Sequence, residues 1–393
     1  MTSATSTDDD ALHETAAALG GFASLPPHLI STHIFSSDFL PEPADLAVLR
    51  AVSREMRAVV NATEREITQI SDEDAAELGY VSLLKERFSR GVLEDECLVF
   101  AAAARNGDLE ALKALLEDGC PMDEKTCEAA ALGGHLEVLE WARENGCPWN
   151  EYTCSCAAGG GQLEALMWLH TNDCPWNEKT CTGAAAGDHL EVLQWARAND
   201  CPWDEWTCWH ASFKGHLEVL KWARENGCPW NEYTCSCAAG GGQLEALMWL
   251  RTNDCPWDEG TCACAAEHGH LKVLQWARAN GCPWDEWTCT GAAEGGYLEV
   301  LKWARENGCS WDEWTCAKAA SGGHLVTLKW ARENGCPWDD QTWTEAAITG
   351  HHEVLQWASK NGCPRGLGTC AEAAEGGHLE VLQWLRDNGP WDE

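Results

Sequence analysis

A tryptophan returns every 27 residues along most of this chain: Trp141, Trp168, Trp195, Trp222, Trp249, Trp276, Trp303, Trp330, Trp357 and Trp384. A fixed period of this size marks a solenoid, whose units stack because none can bury its own apolar face. One unit is read from Cys127 to Thr153, CEAAALGGHLEVLEWARENGCPWNEYT. Asn150, replaced in other units by Asp123, Asp204, Asp285 or Asp339, suits a helix N-cap, and the acidic residue after it suits the positive end of the helix dipole. This predicts a first helix, helix A, over 150–158, ending in Gly159-Gly160. Helix B, over 136–145, carries Leu136, Val138, Leu139, Trp141 and Ala142 as an apolar stripe, with Glu137, Glu140 and Glu144 opposite. Gly146 fits a left-handed cap, and Pro148 forbids continuation.

The predicted fold is therefore all-α: a solenoid of about eleven short helix-turn-helix units. Burying an indole removes about 150–250 Å² from water, a contribution of up to ~4–6 kcal/mol, so the helix B tryptophans are expected in the core. The second row, Trp149, Trp176, Trp203, Trp230, Trp257, Trp284, Trp311, Trp338 and Trp391, falls in the loops and reads as loop packing or as an exposed aromatic rail. The His column (His135, His189, His216, His270, His324, His351, His378) opens helix B. Gln162, Gln243 and Tyr297 replace it elsewhere, which fits hydrogen bonding between turns and not a row of ligands. The 23 cysteines fall mainly in two columns, typified by Cys147 and Cys154, and read as small buried apolar residues without metal or disulfides.

Comparing units within the chain separates framework from freedom. The Ala-Ala pair, Gly, Leu, Val and Trp barely change. Variation gathers at helix A positions spaced i, i+3, i+4, i+7, one face of a helix. Trp206, Trp209, His210 and Phe213 fill all four positions in one unit. Tyr152, Tyr233, Trp287, Trp314 and Lys318 occupy the same face elsewhere. This face is expected to line a groove that holds a protein partner.

The net charge of −36, from 63 acidic against 27 basic residues, is expected to repel nucleic acid and to favour a basic protein. No apolar run is long enough for a membrane span, and MTSATSTDDD lacks the pattern of a secretory signal. The expectation is a cytoplasmic or nuclear chain, monomeric outside its complexes and without cofactor. No nucleophile elbow, phosphate loop or HExxH is present, so no enzymatic activity is expected.

Two resemblances follow from quoted residues. The run Ala130–Leu139 (Ala-Ala-x-x-Gly-His-Leu-Glu-Val-Leu) resembles the ankyrin repeat across residues 100–393, in about 20 of the 27 columns. About six residues of that family's hairpin finger and its Thr-Pro-Leu-His start are missing. The likeness implies a protein-binding scaffold held by helices and short loops. Residues 67–99 read as a linker helix and a degenerate capping repeat, and 1–20 as a disordered acidic tail. Residues 22–66 resemble an F-box: Leu25-Pro26, Leu29-Ile30, Asp45-Leu46 and Val52-Ser53-Arg54, with Met56 where that family usually has Trp. That likeness implies a three-helix module whose Leu25, Pro26, Leu29, Ile30, Leu46 and Val52 contact the adaptor subunit of a cullin–RING ubiquitin ligase, or form the module's core. The chain would then recruit substrates to the ligase through its repeats. The alternative is an interaction scaffold unconnected to ubiquitin, capped by its N-terminal helices. A tryptophan ladder for sugars or bases is the weakest reading.

Overall fold

The computed structural model describes residues 71–93, 95–366 and 369–388. The F-box-like residues 22–66 and the tail 1–20 lie outside them. The chain divides into two compact units, Met1–Trp176 and Asn177–Glu393. Among the described residues all regular structure is helical, with four antiparallel helix pairs in the first unit and eight in the second. Within each unit, helix A packs on helix A of the next pair, and helix B packs chiefly on its own helix A.

The caps predicted from the sequence set the helix ends. In the first unit helix B runs Leu136–Glu144 and the following helix A runs Glu151–Gly159. The Asn150 side chain accepts from the Tyr152 N–H at 2.8 Å, and Asp204 does the same for Trp206 at 3.1 Å. Gly146 closes helix B at φ 80°, while Asp173, Asp200 and Asp254 hold the equivalent left-handed position elsewhere. The His column bonds across pairs. His135 Nε2 donates to the Arg105 carbonyl at 2.9 Å, and His216 Nε2 to that of Ala186 at 3.1 Å.

The core differs from expectation in one respect. Its fully buried residues are mainly Cys, Ala, Leu, Val and Thr, such as Thr207, Cys208, Ala211, Val219 and Leu220 in one pair. The helix B tryptophans are only half-buried. Small residues let neighbouring helices A approach closely and fill the space between them, and the helix B rings sit at the edge. The loop cysteines are fixed by a thiol bond to the carbonyl of the preceding N-cap residue, as from Cys147 to Asp123 at 3.1 Å and from Cys309 to Asp285 at 3.1 Å. Among the described side chains no cysteine is joined in a disulfide. Burial pushes the Cys363 thiol up to about 12, which keeps it protonated near neutral pH.

The Gly-Gly turn has two separate requirements. Gly242 sits at φ 71°, where a side chain is strained. Gly241 has an ordinary φ of −78°, but a Cβ there would lie 1.9 Å from the Phe213 carbonyl oxygen of the preceding pair. Gly241→Ala is therefore expected to cost ~3 kcal/mol by overpacking. Gly227→Ala, at φ 87° with open space around it, is expected to cost only about 1–2 kcal/mol. Urea unfolding of the two variants checks the order. A smaller loss at Gly241 would remove the close approach from the account.

After Cys363 the next helix A is described over Thr369–Glu375. The Thr369 hydroxyl donates to the Gly366 carbonyl at 2.7 Å.

Candidate interaction surface

Helix A places its second residue beyond the N-cap on the outside of the stack, because the two residues that follow, Thr and Cys, face the core. In the second unit this register is occupied in turn by Lys179, Trp206, Tyr233, Gly260, Trp287, Trp314 and Gln341. The four aromatics are exposed, at 51%, 58%, 54% and 39%. Tyr152 holds the same position in the first unit and is exposed as well. An indole or phenol left this far in water is not needed by the fold, whereas contiguous aromatic surface suits binding.

Four of the predicted residues come together on helices Glu205–Lys214 and Glu232–Gly240. Trp206 and Trp209 have ring centroids 4.6 Å apart, Trp209 and Tyr233 5.5 Å, and Trp206 and His210 6.0 Å. The Trp209 Nε1–H donates to Asn231 Oδ1 at 2.9 Å, which ties the patch to the N-cap of the next helix A. Phe213 is exposed at the far end of the same helix, with the Lys214 ammonium 6.0 Å from its ring centroid. Burial, and next the Lys214 charge, pull His210 below the usual imidazole range, so it presents a neutral ring near neutral pH.

The other predicted residues are more dispersed. Trp287 and Trp314 lie further along the same face. Lys318 bonds to Glu294 of the preceding helix A at 3.0 Å. The i+3 position of the variable set is not a free surface throughout. Ser236, Thr290 and Ala317 are buried between neighbouring helices A, where the Ser236 and Thr261 hydroxyls meet at 3.4 Å and those of Thr290 and Thr315 at 3.3 Å. Leu25, Pro26, Leu29, Ile30, Leu46 and Val52 lie outside the described residues.

Sequence reading missed the role of an arginine. Seven of the described loop tryptophans lie under a guanidinium from the preceding helix B and edge-on to the tryptophan of the following helix B. Arg224 stacks 4.1 Å from the Trp230 centroid, and Trp230 meets Trp249 at 5.9 Å. The same set recurs at Arg143–Trp149–Trp168 in the first unit, and in the second at Arg197, Arg251, Arg278, Arg305 and Arg332. The arginine is held by its own loop, as where Arg224 Nη1 donates to the Cys228 carbonyl at 3.3 Å. Where His170 replaces it, the imidazole stacks on Trp176 at 4.1 Å. The loop tryptophans thus form a half-buried seam and not an exposed rail. A shallow groove of about 460 Å³ opens there, lined by Lys302, Arg305, Glu306, Trp311, Trp330 and Asn334.

Among the described residues, one group could gather metal ligands: Asp95, Cys97 and Asp123, within 4.8 Å of one another. The Lys125 ammonium pairs with Asp95, and burial pushes the Cys97 thiol up to about 12, so a lysine already partners the carboxylates. No described helix is long and apolar enough to cross a membrane.

No protein-family model matches this chain, and no curated protein matches its sequence. Solved helical-repeat structures are similar at low identity. The ankyrin repeat domain of human ASB11 shares 18% identity over 40% of this chain and 84% of its own, with a TM-score of 0.33. The pentatricopeptide repeat protein PPR10, in complex with an 18-nucleotide psaJ RNA element, shares 13% over 95% of this chain and 67% of its own, with a TM-score of 0.37. The fold rests on the helix pairs themselves. One expectation is corrected here: nucleic acid is not ruled out as a partner. A repeat structure among those similar holds RNA. Moreover, a whole-chain charge of −36 does not set the sign of every surface, and the seam repeats a guanidinium at the 27-residue period.

Proposed function

We propose that this chain is a recognition scaffold that holds a protein partner against the helix A face of its second unit. The observation that supports this reading is the contiguous patch of Trp206, Trp209, His210 and Tyr233, with two of its rings more than half exposed. Aromatic residues of this kind anchor interfaces because they remove large area from water at small entropic cost. The seam serves a different purpose: its rings are engaged by arginine and by each other.

The reading is tested by offering the full chain a displayed peptide library and a random RNA library side by side. Peptides are expected to be enriched, and to be lost when Trp206→Ala and Trp209→Ala are combined. Enrichment of RNA alone, or peptides indifferent to the double variant, would contradict it.

The resemblance within residues 22–66 supplies a second half to the proposal, the recruitment of that partner to a ubiquitin ligase. Full-length chain is then expected to co-purify with the cullin-complex adaptor, and Leu29→Arg to abolish this. Absence of co-purification from the unaltered chain leaves the scaffold without the ligase.

A further inference from the structure

Taking the protein-binding reading as its basis, we infer that the partner segment is an extended, positively charged polyproline-II strand that lies across successive helices A of the second unit, one turn per repeat. The argument starts from spacing. Packed helices lie about 8–10 Å apart. Helix A of each pair contacts helix A of the next, so equivalent positions recur at about that interval. A polyproline-II helix advances ~3.1 Å per residue with three residues per turn, or ~9.3 Å per turn. An α-helix laid the same way returns a residue to the same face only every ~10.5 Å, beyond this interval.

Chemistry follows the same period. Trp206, Tyr233, Trp287 and Trp314 present exposed rings, and aromatic surfaces of this type receive proline rings in the known mode of polyproline recognition. Beside each ring, one residue earlier, stands a carboxylate in the first helical turn: Glu205, Glu232, Glu286 and Glu313. Glu259 continues that row past the position where the ring is missing. Four repeats thus offer one ring and one negative charge each, which complements a segment that carries one cation and two prolines per turn. Gly260 interrupts the ring row. With no side chain at Gly260, the row has a gap between Tyr233 and Trp287.

The test uses three fluorescein-labelled peptides, each about fifteen residues long so that it spans the five positions. They repeat Pro-Pro-Arg, Gly-Gly-Arg or Pro-Pro-Gln, and are titrated against the full chain by fluorescence polarisation. Pro-Pro-Arg is expected to bind at least tenfold more tightly than either comparator. Trp287→Ala combined with Trp314→Ala is expected to weaken it at least tenfold, with far-UV circular dichroism unchanged and with affinity retained by the corresponding double Phe variant. Equal binding of Gly-Gly-Arg, or affinity unmoved by the double Ala variant, would overturn the inference as charge attraction alone. Failure of Pro-Pro-Arg, while library-selected peptides still depend on Trp206 and Trp209, would overturn the strand and leave the scaffold reading standing. If no peptide depends on those residues, the scaffold reading itself fails.

Discussion

The combined substitution Trp206→Ala and Trp209→Ala is expected to cut affinity for a peptide selected on the full chain by at least about a hundredfold, since each buried interface tryptophan commonly contributes ~2 kcal/mol or more. The loss is expected without unfolding. Trp206 is half exposed, and its ring lies against Trp209 and His210. Removal of Trp209 leaves Asn231 Oδ1 without its indole donor, but that oxygen still accepts from the Tyr233 N–H at 3.1 Å, so the helix cap survives. Titration calorimetry measures the affinity, and circular dichroism controls for the fold. Affinity within threefold of the unaltered chain would mean that the patch is not where the peptide sits.

Trp343→Ala is expected to have the largest effect on stability. Trp343 stands where the other units carry the helix A cysteine, and it is 2% exposed. Its ring packs 5.9 Å from Trp384, with the Arg365 guanidinium 5.1 Å from its centroid. Truncating so large a buried residue costs ~3–5 kcal/mol, more than a short terminal pair can absorb. In a repeat array each pair contacts only its neighbours, so the damage stays local. Hydrogen exchange is expected to accelerate over residues 340–388 and to stay unchanged over 205–267. A uniform acceleration along the second unit would show that the pairs do not behave as separable neighbours.

Much of the architecture is legible from the sequence, because a repeated unit reports the same constraint many times. Asn150 and Asp204 announce helix starts, Gly146 a helix end, and the His column a bond between pairs. Each holds because a local backbone requirement selects one residue type. Contacts between units are harder to read. The stack of Arg224 on Trp230 joins residues six apart across a loop, and the signal available was the regular Arg-to-Trp interval, with His170 as its exception. The tryptophans of helix B look like core by mass and period. They end at the edge because the space between helices A is already filled, by the Cys and Ala columns in most pairs and by Trp343 in one. The variable face misled in part for a related reason. Ser236, Thr290 and Ala317 vary because small residues of several kinds fit between helices A, whereas Trp209 at the equivalent position reaches over to the next pair. Reading the patch correctly required knowing that Trp209 reaches Asn231 and Tyr233 of the next pair, which no spacing within one helix reveals.

Hydrogen-exchange footprinting of the full chain, with and without a library-selected peptide, bears most directly on the claim that framework and recognition occupy opposite sides of each helix pair. The account predicts added protection over residues 204–214 and 231–240, with the loops 224–230 and 251–257 of the Arg–Trp seam unchanged. Protection confined to the seam, with the helix A segments untouched, would contradict it.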